Sequence, residues 1–127
     1  MDKSKLIFVV DDDSFITTLV ERRFTPEGYR VMVFDYGEEC LKSMNQNPDL
    51  IILDYLFHRS GGEAMNGMEV FDRIKSVKPK VPVIMLSGQD KGEIVLELAR
   101  KGIDDYVIKD NNLIDNLSIS IKEILSR

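Results

Sequence analysis

Two short runs in this chain are continuously apolar: Leu6-Ile7-Phe8-Val9-Val10 and Leu50-Ile51-Ile52-Leu53. With no polar residue alternating through them, they read as strands buried on both faces, as in a parallel sheet covered by helices. Val81 to Leu86 and Tyr106-Val107-Ile108 read as two further strands. Arg30 to Phe34 is β-rich but carries a charge, Arg30, which places it nearer a sheet edge.

Between these runs the apolar spacing changes from continuous to helical. Ile16, Leu19, Val20 and Phe24 share one helical face, with Thr17, Glu21 and Arg22 opposite. Asp13 or Ser14 is the expected N-cap, and Pro26 and Gly28 end this helix. A short helix over Glu38 to Met44 turns Cys40, Leu41 and Met44 inward, and Asn45-Gln46-Asn47-Pro48 is a turn cluster. Tyr55 to Asn66 is a loop containing Gly61-Gly62. From Gly67 a helix places Val70, Phe71, Ile74 and Val77 on one face, and Pro79 closes it. Ile94, Val95, Leu98 and Ala99 mark the next helix, with Gly102 just past its end. Leu113, Ile114, Leu117, Ile121, Ile124 and Leu125 mark the last. A βα unit repeated five times predicts an α/β fold with a parallel sheet, right-handed crossovers and helices on both faces. The expected organisation is a single domain over residues 1–127.

Composition narrows the class. At 127 residues, with 43% hydrophobic and 31% charged residues, the chain has the material for a packed core. Its net charge of −5 disfavours a nucleic-acid surface, which would want a basic stripe. The apolar run Leu6 to Val10 is too short for a signal peptide or a membrane span, so the expectation is a cytoplasmic protein with no membrane partner. Cys40 is the single cysteine, excludes an internal disulfide and reads as inert core.

The candidate chemistry lies where the strands stop. The first ends in Asp11 and Asp12, the third in Asp54, the fourth in Ser87 and the fifth in Lys109. In a parallel sheet these ends gather at one edge, where open α/β folds bind ligands. Three carboxylates brought together repel one another and need a cation beyond Lys109. An all-oxygen donor set suits Mg²⁺ rather than zinc, because Cys40 and His58 are not at strand ends. Carboxylate, divalent cation, lysine and hydroxyl around one point suit phosphoryl transfer, where catalysis is mostly positioning and neutralisation. Asp54 is the candidate nucleophile, forming an aspartyl-phosphate. Lys109 and the cation would each take a phosphoryl oxygen, and Ser87 Oγ with a backbone N–H the third. Asp13, by contrast, reads as a helix-capping acid, and His58 as a solvated loop residue.

Val9-Val10-Asp11-Asp12, Leu53-Asp54, Ile84-Met85-Leu86-Ser87-Gly88 and Tyr106-Val107-Ile108-Lys109 together resemble the response-regulator receiver domain, the CheY-like phosphoacceptor of two-component signalling. The resemblance covers the whole chain. It implies a flavodoxin-like five-stranded parallel sheet in the order 2-1-3-4-5 with five helices. Asp54 would accept a phosphoryl group from a histidine kinase or a histidine phosphotransfer protein. Mg²⁺ would be held by Asp11, Asp12, Asp54 and the Leu56 carbonyl. Ser87 would move toward the phosphoryl group and Tyr106, at the family's switch-aromatic position, would turn inward behind it. The surface of the fourth helix, fifth strand and fifth helix would then change its preference for a downstream protein, or for a second copy in a homodimer. The domain would be a signalling module and not an enzyme, beyond assisting its own phosphorylation and dephosphorylation.

Two features depart from the family pattern. The loop after Asp54 is long, with an insertion around Arg59 to Asn66, and Gly67 stands thirteen positions after the aspartate. Asp110 follows Lys109 where the family has proline; a cis bond without proline costs about 2.5–4 kcal/mol, so a trans bond is expected. Leu56 and Gln89 occupy positions that in the family tune dephosphorylation. Two other readings compete: a receiver-fold interaction module that works without phosphate, and a Mg²⁺-dependent aspartyl-phosphate phosphatase of the haloacid-dehalogenase type. The latter wants a second aspartate two positions after the nucleophile, where this chain has Leu56.

Overall fold

The computed structural model describes residues 4–55, 66–88 and 92–127, residues 92–94 by their backbone alone. Five strands, β1 (Leu6–Val10), β2 (Arg30–Phe34), β3 (Leu50–Asp54), β4 (Val83–Ser87) and β5 (Asp105–Ile108), alternate with five helices. The helices are α1 (Ser14–Phe24), α2 (Gly37–Lys42), α3 (Gly67–Val77), α4 (Gly92–Lys101) and α5 (Leu113–Leu125). All strand pairs are parallel and the sheet order is β2-β1-β3-β4-β5. The expected order is therefore found, with Arg30 exposed on an edge strand.

The period of two along each strand divides the core into two layers. Ile7, Val9, Leu50, Ile52, Ile84 and Leu86 point toward α1 and α5, against Ile16, Val20, Leu117 and Ile121. Leu6, Phe8, Val10, Ile51, Leu53 and Met85 point the other way, against Val70, Phe71, Ile74 and Leu98. This is why β1, β3 and β4 read as unbroken apolar runs: both faces are covered. Cys40 lies within the second layer, and burial pushes its thiol up to about 12, which makes it inert as a nucleophile.

Several local expectations are corrected. Thr17 is buried and Leu19 only half-buried, because the inward stripe of α1 runs over Ile16, Val20 and Phe24 with Thr17 at its edge. Thr17 avoids a polar penalty by donating its hydroxyl to Ser14 O at 3.3 Å. Val77, the last residue of α3, is 56% exposed. Ala99 is exposed while Leu98 carries the buried face of α4. The second helix is shorter than its pattern, Gly37–Lys42, and a 3₁₀ turn over Met44–Gln46 still delivers buried Met44. The fourth strand begins at Val83 rather than Val81 and extends to Ser87.

Candidate functional site

The sheet register assembles the site. Val10 pairs with Leu53, so Asp11 and Asp54 follow side by side; Asp54 pairs with Leu86, so Ser87 stands one step beyond; Ser87 pairs with Ile108, so Lys109 comes next. Each ladder continues one bond past its strand: Asp11 N donates to Phe34 O at 3.0 Å, Tyr55 N to Leu86 O at 2.8 Å, and Lys109 N to Ser87 O at 2.8 Å. The residues at the edge thus inherit the order of the sheet.

Their side chains meet. Lys109 Nζ lies 2.7 Å from Asp11 Oδ2 and 3.0 Å from Asp54 Oδ1. Carboxylate oxygens of Asp11, Asp12 and Asp54 all lie within 4.8 Å of one another. Asp11, Asp54 and Ser87 are buried, with exposures of 0%, 2% and 3%, and Asp12 is half-buried. The second oxygen of Asp11 accepts from Asp13 N at 2.9 Å, and Asp13 caps α1 by accepting from Phe15 N at 2.9 Å, so Asp13 is the capping acid expected.

The charges do not settle among themselves. At an effective dielectric of ~20, unit charges ~4 Å apart interact by about 4 kcal/mol. The two short Lys109 contacts therefore roughly offset the mutual repulsion of the carboxylates, and the cost of taking charge out of water is left unmet. The titration directions agree. Burial, the largest influence, raises the Asp11 carboxyl above the ordinary range despite its bonds to Lys109 and Asp13. Burial works to lower Lys109, but its contacts with Asp11 and Asp54 outweigh it and hold the ammonium above its usual value. Among the described residues this is a group of hard oxygen donors with excess negative charge, a set that fits Mg²⁺.

The departure after Lys109 has a structural answer. No cis peptide occurs among the described residues, so the Lys109–Asp110 bond is trans. Asp110 builds the turn otherwise: its N–H donates to Ile108 O at 2.9 Å and its Oδ1 accepts from Asn112 N at 2.8 Å. Lys109 reaches both carboxylates from this turn. The signal for this Asx turn is the run Asp110-Asn111-Asn112 itself, which is not among the expectations read from strand ends. Tyr106 is half-buried on β5 and packs against the layer containing Met85, its neighbour in register. Leu56, Gln89 and the insertion at Arg59 to Asn66, except Asn66 itself, lie outside the described residues.

Comparison with known proteins agrees with this geometry. The response regulator receiver domain family matches residues 7–119. The chain is 36% identical over 108 residues to the alkaline phosphatase synthesis transcriptional regulatory protein PhoP of Bacillus subtilis, covering 84% of this chain and 42% of that protein. It is 28% identical over 114 residues to the DNA-binding transcriptional regulator NtrC of Proteus hauseri, covering 89% of this chain and 23% of that protein. The chain thus spans less than half the length of these curated relatives. Among solved structures, the BeF3-activated receiver domain of DrrB superposes with a TM-score of 0.85 at 30% identity, covering 98% of this chain and 100% of that one. DrrB is an OmpR/PhoB homologue of Thermotoga maritima. On its parallel sheet, its carboxylate-lined strand edge and these likenesses, the chain belongs to the response regulator receiver domain family.

Proposed function

We propose that this domain is a phosphoacceptor whose Asp54 receives a phosphoryl group from a phosphohistidine donor, a histidine kinase or histidine phosphotransfer protein. The observation that carries the reading is Lys109 Nζ lying between Asp11 and Asp54 beside a third carboxylate at the carboxyl edge of the sheet. In the transfer, an Asp54 oxygen forms a bond to phosphorus as the donor's P–N bond breaks, and the imidazole nitrogen leaves with the electron pair. Lys109 would neutralise charge on a phosphoryl oxygen, and the buried Ser87 hydroxyl would donate to another. Asp11, Asp12 and Asp54 would hold Mg²⁺, which when bound neutralises phosphoryl oxygens. The Leu56 carbonyl remains a further proposed ligand.

Phosphorylation of Asp54 would draw Ser87 toward the phosphoryl group and Tyr106 inward, altering the surface of α4, β5 and α5 for a downstream protein or a second copy. Phe15, 69% exposed in the first turn of α1, would offer the donor an apolar contact. The test is the intact mass of the protein after incubation with acetyl phosphate and Mg²⁺. One added phosphoryl group is expected, lost in Asp54→Ala and in excess chelator. No gain with acetyl phosphate, together with no change in the Tyr106 environment on adding beryllofluoride, would overturn the reading in favour of a phosphate-independent interaction module.

A further inference from the structure

The end of β3 and the start of α3 meet. Gly67 N donates to Tyr55 O at 3.0 Å. The approach is as near as backbones come. A Cβ added at Gly67 would lie 2.5 Å from Asp54 O and 2.7 Å from both the Cα and the O of Tyr55. Those atoms are main chain and cannot swing aside as a flexible side chain could. Glycine is required here by proximity, not by an unusual backbone angle.

Both sides of the contact are held firmly. The start of α3 is fixed by a capping box, with Glu69 N donating to Asn66 Oδ1 at 2.9 Å and Asn66 N donating to Glu69 Oε1 at 3.3 Å. Val70, Phe71 and Ile74 bury the helix in the core. On the other side, Tyr55 N donates to Leu86 O at 2.8 Å. The residue after Asp54 is therefore tied by its N–H to β4 and by its carbonyl to α3, so the direction in which the Asp54 carboxylate leaves the sheet is set by both.

We propose that Gly67 is a positioning residue for Asp54: by seating the start of α3 on the Asp54–Tyr55 backbone, it fixes the acceptor carboxylate. The proposal rests on the phosphoacceptor reading for its kinetic consequence, but the backbone contact stands apart from it. A small displacement of a reacting group costs on the order of 10²-fold in rate.

Gly67→Ala in the full chain tests this against Gly37→Ala. Gly37 is an equally buried glycine at the start of α2, where an added Cβ would run into the Val70 side chain and not into the backbone at the site. Below the melting transitions of both variants, Gly67→Ala is expected to slow phosphorylation by acetyl phosphate by more than tenfold, and Gly37→Ala by less than twofold. The amide resonances of Asp54 and Tyr55 should move in the first variant and stay in the second. Equal slowing in both variants, or unmoved Asp54 and Tyr55 amides in Gly67→Ala, would reduce Gly67 to a packing residue and overturn the proposal. If the wild type itself gains no phosphoryl group, the functional reading fails and the amide resonances still decide for Gly67. If Gly67→Ala does not fold, hydrogen exchange of the wild-type Gly67 amide decides: protection comparable to the β3 amides supports the seating of Gly67 on Tyr55, and exchange at the rate of an unprotected amide overturns it.

Discussion

At the amino edge of the sheet, Asp49 and Asp104 do the same local task. Asp49 N donates to Leu6 O at 2.8 Å and its Oδ2 accepts from Leu6 N at 2.7 Å; Asp104 N donates to Val83 O at 2.9 Å and its Oδ1 accepts from Val83 N at 2.9 Å. Each closes the start of a neighbouring strand, and Asp104 Oδ2 also accepts from Arg127 at 2.8 Å. At the carboxyl edge, Asp11, Asp12 and Asp54 converge instead on one another, with Lys109 between two of them. The same residue type is locally satisfied at one edge and leaves a collective charge excess at the other. Acidic residues at strand ends are therefore not a site in themselves. The convergence of several of them, buried and short of positive charge, is what marks one.

Substitutions at the two edges should separate stability from chemistry. The largest effect is expected for Lys109→Met, which leaves the buried carboxylates without their cation. It should slow phosphorylation by about 10²-fold, the scale of losing an oriented charge stabiliser, and lower stability by about 3 kcal/mol, as for breaking a buried ion pair. Acetyl-phosphate kinetics and denaturant titration read these separately. Asp49→Ala should do the reverse: it strands the Leu6 N–H, costs about 1–3 kcal/mol, and leaves the phosphorylation rate of the folded protein within twofold. If Asp49→Ala slowed the chemistry as much as Lys109→Met, the contrast between the edges would collapse.

Smaller effects sharpen it. Because the Asp11 carboxyl is raised by burial, its ionised form weakens the fold above the ordinary carboxylate range. Asp11→Asn should therefore melt about 3–5 °C higher than the wild type at pH 7 without divalent ions, the scale of ~1 kcal/mol for a domain of this size. A lower melting temperature would contradict it. Lys109 gives the opposite sign. Its folded value is above the ordinary 10.5, so its contribution is fully present below 10.5 and is lost as pH rises through the folded value. The difference in melting temperature between wild type and Lys109→Met should stay level from neutral pH and narrow only above 10.5.

Much of this architecture was legible from periodicity. Continuous apolar runs marked β1 and β3 because both faces of those strands are covered, and the terminal residues followed once the sheet was taken as parallel. The helical misses share a cause. Leu19, Thr17, Val77 and Ala99 lie at the margins of helical stripes, where the neighbour's shape decides burial and hydropathy alone does not. The Asp110 turn leaves no trace in the hydrophobic period, because a side-chain acceptor two residues before the N–H it meets builds it. Gly67 read only as a helix start, since the demand for glycine comes from backbone distant in sequence.

By itself, the order of residues determined the alternation of strand and helix, the buried centre of the sheet, and which polar groups stand where strands end. These are local properties, written in the period of the hydrophobic pattern. Only the tertiary structure decided that Lys109 reaches both Asp11 and Asp54, that Asp49 and Asp104 pair off locally while Asp11, Asp12 and Asp54 crowd together, and that α3 sits directly on the Asp54 backbone. Those outcomes depend on distances between residues far apart in the chain, and distance sets both Coulomb energy and steric exclusion.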